Sequence, residues 1–161
     1  MNIWEKTKRN HGLEHGTIAL IMNRFTRQHP IAGYSIASGF FVVGGVTTEQ
    51  VETCSAEALS RMQAGEAALA VSPFCGTNIV VTAALTMIAT LTGYHTAGGG
   101  LRGLNRAFSN TALATVASQP LGRMMQRRYT ISADVGEMRI MSVTHYNLGK
   151  VPVHWVATTC S

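Results

Sequence analysis

Between Ala67 and Leu101 the chain carries no Asp, Glu, Lys or Arg. A second uncharged stretch runs from Ala107 to Gly122. Charged residues make up 13% of the 161-residue chain, against about 25% in ordinary soluble domains, so the deficit is concentrated in these two runs. Phe74 to Tyr94 comes to about the 20 apolar residues that cover the hydrocarbon core of a bilayer. Its threonines (Thr77, Thr82, Thr86, Thr90, Thr92) can bond back to the preceding helical turn and are tolerated in lipid. The alternative is a buried helix of a soluble core, which so short a chain seldom needs at this length.

The glycines Gly98, Gly99 and Gly100 predict a turn, and Leu104 to Met124 a second span rich in small residues: Ala107, Ser109, Ala112, Ala114, Ala117 and Gly122. Such residues let helices approach closely in lipid. Pro120 predicts a kink or an early end, and the segment could instead lie at the interface. The basic residues flank apolar segments: Lys6, Lys8 and Arg9; Arg24 and Arg27; Arg123, Arg127 and Arg128. Basic flanks anchor membrane topology and meet anionic headgroups. Aromatic residues are not interleaved with them as base stacking would require, which argues against nucleic acid despite the net charge of +5. The charge bias predicts a bacterial inner (cytoplasmic) membrane protein with both termini in the cytoplasm. The first residues lack a cleavable signal, since His11, Glu14 and His15 interrupt the apolar run.

Outside the hairpin the pattern is α+β. Leu13, Thr17, Leu20, Ile21 and Phe25 give an apolar stripe on a helix from Trp4 to Arg27, which suits an interfacial helix and stops at His29-Pro30. Gly33 to Gly45 reads as a strand. Thr47 and Gln50 have capping-box spacing, and Val51, Cys54, Ala58, Leu59 and Met62 make the stripe of a second helix, with Gly65 at its end. Ala67 to Ser72 reads as another strand, giving a parallel β-α-β unit. Met138, Ile140, Ser142 and Thr144, then Val151, Val153, Trp155 and Ala157, alternate on either side of the Asn147–Lys150 turn as a hairpin. The expectation is an N-terminal interfacial helix (1–30), a small mixed-sheet cytoplasmic α/β domain (31–73 and 130–161) and a two-helix transmembrane hairpin (74–128).

The sharpest chemical motif is His11-Gly12-Leu13-Glu14-His15, of the His-x-x-Glu-His form of inverted zinc peptidases. Positions i and i+4 share a helix face, so both imidazoles can reach one ion, zinc or another divalent metal, with Glu14 as base. A third protein ligand is needed. Cys75 is the best candidate, ahead of His29, His95 and Asp134. Alternatively His11 and His15 are hydrogen-bonding residues of an amphipathic helix. Three cysteines, Cys54, Cys75 and Cys160, do not make a disulfide framework. Thr77 and Asn78 read as a cap or joint, His145 and His154 as surface histidines, and Met124, Met125, Met138 and Met141 as apolar filling.

Asn10-His11-Gly12-Leu13-Glu14-His15-Gly16-Thr17-Ile18 resembles the Asn-His-Ala-Leu-Glu-His-Ala-Thr-Ile opening of an uncharacterised family of small membrane proteins from phototrophic and related bacteria. Gly39–Gly44, Glu57–Leu59 with Gln63–Glu66, Cys75–Asn78 and Gln119–Gly122 with Gln126-Arg127 extend the match over most of the chain. The chain departs from it at Gly12 and Gly16, where the family has alanine. It departs again at Ser72-Pro73-Phe74 in place of His-Pro-Asn, which removes one candidate ligand. The resemblance implies a membrane protein and no known activity. The functional expectation is an accessory or structural subunit of a larger membrane complex, photosynthetic or otherwise energy-transducing. Its partners would be the lipid bilayer and other membrane subunits, and a homo-oligomer is compatible with the sequence. The alternative is a membrane-anchored metal-binding protein or zinc hydrolase using His11, His15, Cys75 and Glu14.

Overall fold

The computed structural model describes residues 1–25 and 30–159. Arg27, the stop signal at His29 and Cys160 lie outside these described residues. The elements run α1 (Ile3–Arg24), β1 (Ala32–Ile36), β2 (Gly39–Val43), α2 (Thr48–Gln63), a 3-10 turn (Ala67–Ala70), α3 (Gly76–Thr96), α4 (Gly100–Met125), a π turn (Gln126–Thr130), β3 (Arg139–Leu148) and β4 (Val151–Thr159). The fold is α+β with four α-helices and one sheet among the described residues. The chain divides into two compact units, residues 1–72 with 129–161 and residues 73–128.

In the first unit, α1 and α2 pack on the sheet and enclose Leu13, Ile21, Val51, Cys54, Phe40, Val42 and Val156. The Asn2 side chain caps α1 by accepting from Glu5 N at 2.8 Å. Thr47 and Gln50 form the full capping box at the start of α2, with bonds of 3.2 and 3.0 Å, as the spacing predicts. The α1 stripe Leu13, Thr17, Leu20 and Ile21 is buried, so along this face α1 is a core helix and not an element lying free at an interface.

The sheet departs from expectation. Its order is β1-β2-β4-β3 and every neighbouring pair is antiparallel. The expected strand Gly33–Gly45 is a hairpin, with Ile36 paired to Gly39 across a two-residue turn. Gly39 has a φ of +152°, a conformation suited to glycine. Ala67–Ala70 is a 3-10 turn and not a strand, so no parallel β-α-β unit forms. A run this short and apolar is ambiguous by pattern alone. The β3/β4 hairpin forms as predicted, but a bulge falls between Ile140 and Ser142. It inserts the exposed Met141 and brings Ile140 and Val143 to the core side together. The core face of β4 carries His154 and Val156, not the alternating set Val151, Val153, Trp155 and Ala157. Trp155 packs instead on Phe41, ring centres 4.5 Å apart.

In the second unit, α3 and α4 are antiparallel partners joined by a glycine turn. A Cβ on Gly93 would lie 2.9 Å from Ala107 Cα, so glycine permits the close approach. Thr82 and Ser118 hydroxyls bond at 2.7 Å, and Thr90 and Thr111 at 2.5 Å. Among the described residues one helix, α3, is long and apolar enough to cross a membrane, and 11% of its most apolar stretch is buried. The 26-residue α4 is long enough but carries Arg102, Asn105, Arg106 and Asn110. A two-span hairpin therefore exceeds what length and composition establish.

Gly12 has a steric reason. A Cβ there would collide with the Ser132 carbonyl oxygen, where the segment after α4 is pinned by Ser132 N donating to Lys8 O at 2.9 Å. At Gly16 a Cβ would meet Ala58 Cβ at 3.3 Å, a tight contact that a small shift accommodates. Alanine is the better helix former by about 1 kcal/mol. Gly12→Ala is nevertheless expected to lose about 1–3 kcal/mol net through overpacking, whereas Gly16→Ala stays within about 1 kcal/mol of the parent. Urea titration of both variants checks this, and a Gly12→Ala chain as stable as the parent contradicts the packing argument.

Candidate metal-ligand site on the first helix

Helix geometry brings His11 and His15 to one face of α1. Their ring centres are 4.4 Å apart at an interplanar angle of 61°, and their ligand nitrogens lie within 4.8 Å of each other. Each ring is oriented by a backbone carbonyl. His11 Nδ1 bonds Thr130 O at 2.9 Å, and His15 Nδ1 bonds Ala70 O at 2.7 Å. A carbonyl only accepts, so both rings must be protonated at Nδ1. In the neutral imidazole the lone pair then sits on Nε2. This is how metal-ligating histidines are commonly held, the outer partner fixing tautomer and ring direction.

Glu14 is buried on the neighbouring face and accepts from Ser35 Oγ at 2.5 Å. A Cβ on Gly33 would run into its carboxylate, so glycine at that point of β1 makes room for it. Asn10, fully buried one turn earlier, donates to Ile36 O at 2.8 Å and accepts from Thr158 Oγ1 at 2.6 Å. Polar side chains thus tie α1 to β1 and β4.

Cys75 is the N-cap residue of α3, buried, and in no disulfide among the described residues. His11 and His15 are side-chain types a divalent metal takes, and Cys75, the third expected ligand, belongs to the other compact unit. His95 is exposed against Tyr94 at the end of α3, Asp134 pairs with Arg9 at 3.3 Å, and His29 lies outside the described residues. Cys54 is fully buried in the core, and burial pushes its thiol pKa up, which keeps it protonated and inert.

His154 was expected at the surface and is buried, at 1% exposure. Its partner across the sheet is His145. The expected alternating set of β4, Val151, Val153, Trp155 and Ala157, lies on the opposite face, so alternation alone picks the wrong side of the strand.

The profile of the family described as Domain of unknown function (DUF6391) matches residues 6–143. An uncharacterized protein of Picosynechococcus sp. (strain ATCC 27264 / PCC 7002 / PR-6) is 36% identical over 85 residues, covering 47% of this chain and 41% of that protein. The chain thus spans well under two thirds of that relative's length. No solved structure matches.

Proposed function

The chain belongs to the family described as Domain of unknown function (DUF6391), and we propose that it is a membrane-anchored accessory subunit. In this reading the α3/α4 hairpin sits in a bacterial inner membrane as a pair of spans, with both termini in the cytoplasm. The protein packs there against a larger assembly, photosynthetic or otherwise energy-transducing. One observation carries the reading: the apolar side chains of both helices point outward. Ile79 is 68% exposed, Phe108 76% and Leu113 70%, and Val80, Ile88 and Val116 are exposed as well. Each such side chain forgoes about 1.5–3 kcal/mol of burial if water is its solvent, whereas lipid removes that cost. The threonine hydroxyls are answered within the helices, as with Thr86 to Thr82 O at 2.8 Å and Thr111 to Ala107 O at 2.8 Å. That arrangement is what an apolar medium demands.

The carbonyl-oriented imidazoles favour a second reading, in which the subunit holds zinc or another divalent metal on His11 and His15 Nε2 with the Cys75 thiolate as third ligand. Cys75 follows Ala70, whose carbonyl holds His15, by five residues, a reach of at most about 17 Å of extended chain. Glu14 would be the base if the metal serves hydrolysis. Its engagement with Ser35 suits a structural role equally well.

Membranes from the native host are expected to retain the protein through alkaline carbonate washing and to release it in mild detergent as part of a large complex. Recovery in the soluble fraction overturns the anchor, and recovery only as a free monomer overturns the accessory role. For the metal, about one equivalent of zinc or iron is expected in the purified protein and little in His11→Ala/His15→Ala. Less than about a tenth of an equivalent in both contradicts the second reading.

A further inference from the structure

His154 is the anomaly of the sheet. It is 1% exposed, and neither Nδ1 nor Nε2 has a hydrogen-bond partner among the described residues. A neutral imidazole offers one donor and one acceptor, and buried groups of this kind are nearly always paired, with protein, water or an ion. Elsewhere in the same unit His15 is held by a carbonyl. His154 instead faces a second imidazole, His145, its register partner on β3, with ring centres 4.9 Å apart. Val42 occupies the other flank on β2 and is fully buried.

The tight β3/β4 turn sets this pairing, since the register runs unbroken from Leu148 and Val151 through His145 and His154 to Ser142 and Ala157. Direct cross-strand partners share one face of a sheet, so Val143 and His145 lie on the face of Val156 and His154. His145 is exposed and His154 is not, so a ligand can enter from the His145 side.

We propose that His145 and His154 together form a binding site for an imidazole-preferring divalent transition metal of the zinc, nickel or copper class. Two imidazole nitrogens on one tetrahedral ion, each about 2.0–2.1 Å from it, stand about 3.3 Å apart. Rings centred 4.9 Å apart are close enough for one nitrogen of each to stand at such a separation. The ion takes the unpaired nitrogen lone pair of His154, and water completes its coordination on the open side at His145. Burial, and secondarily the neighbouring His145, hold the pKa of His154 below the ordinary histidine range, so at neutral pH it is in the uncharged form that binds metals. Calcium and magnesium are disfavoured because they take oxygen ligands. The inference is independent of the membrane role and of the group on α1.

The test uses the full-length protein in detergent with His11→Ala, His15→Ala and Cys75→Ala substitutions, so that the helix group cannot contribute. Titration with zinc is expected to show one equivalent bound and a raised melting temperature. His145→Ala, an exposed position, should fold normally and weaken binding at least about tenfold, as loss of a coordinating contact does. No zinc binding before the His145 change, or binding unaltered by it, overturns the proposal. If the triple variant does not fold, copper(II) added to the unaltered chain gives an independent readout. Selective broadening of the His145 and His154 imidazole signals supports the site, and their insensitivity overturns it.

Discussion

Two helices that turn apolar side chains outward impose the condition the rest of this molecule must satisfy. The α3/α4 pair is held by close approach at Gly93 and Ala107 and by hydroxyl pairs such as Thr82 with Ser118. Its inward face is small and polar and its outward face large and apolar, the reverse of a water-soluble pair. Small interfacial residues with interhelical hydroxyl bonds are what associates helices when no hydrophobic force acts between them. Backbone and hydroxyl groups are bonded within the helices, so that away from the exposed Arg102, Asn105 and Arg106 near the start of α4 the outward face has little that needs water.

The other unit solves a different problem. The buried face of α1 is half polar, and its polar groups are distributed over three partners. Asn10 reaches β1 and β4, Glu14 reaches β1, and His15 reaches the 3-10 turn. A satisfied buried network of this kind fixes one register of the helix, because any slip strands several groups without partners. The same bonds that seat α1 also orient the imidazoles of His11 and His15. The local architecture and the candidate ligand set are therefore one construction: Thr130 and Ala70 carbonyls serve fold and site together.

What the sequence revealed was the information that lies within a few residues. The α2 capping box, the stripe on α1, the β3/β4 hairpin and the sharing of one face by His11 and His15 all follow from spacings of two to four. What it concealed depends on distant chain. The carbonyl partners of His11 and His15 lie 119 and 55 residues away. One inserted residue at Met141 breaks the alternation of β3 and brings Ile140 and Val143 to the core side together. The antiparallel sheet arises because Ala67–Ala70 coils as a 3-10 turn and Gly39 turns the β1/β2 run back on itself, choices that apolar content does not encode. Gly12 illustrates the same limit, since helix propensity argues against it and only the Ser132 backbone explains it.

The most direct measurement of the central claim is relaxation enhancement in lipid nanodiscs, read on methyl groups of the unaltered chain. With a doxyl label placed deep in the acyl chains, the methyl signals of Ile79, Ile88, Leu113 and Val116 should broaden strongly. A water-soluble gadolinium chelate should leave them sharp while broadening Val151, an exposed strand residue of the first unit. If the chelate broadens the α3 and α4 methyls as much as Val151 and the lipid label does not reach them, the helices are not solvated by lipid and the account fails.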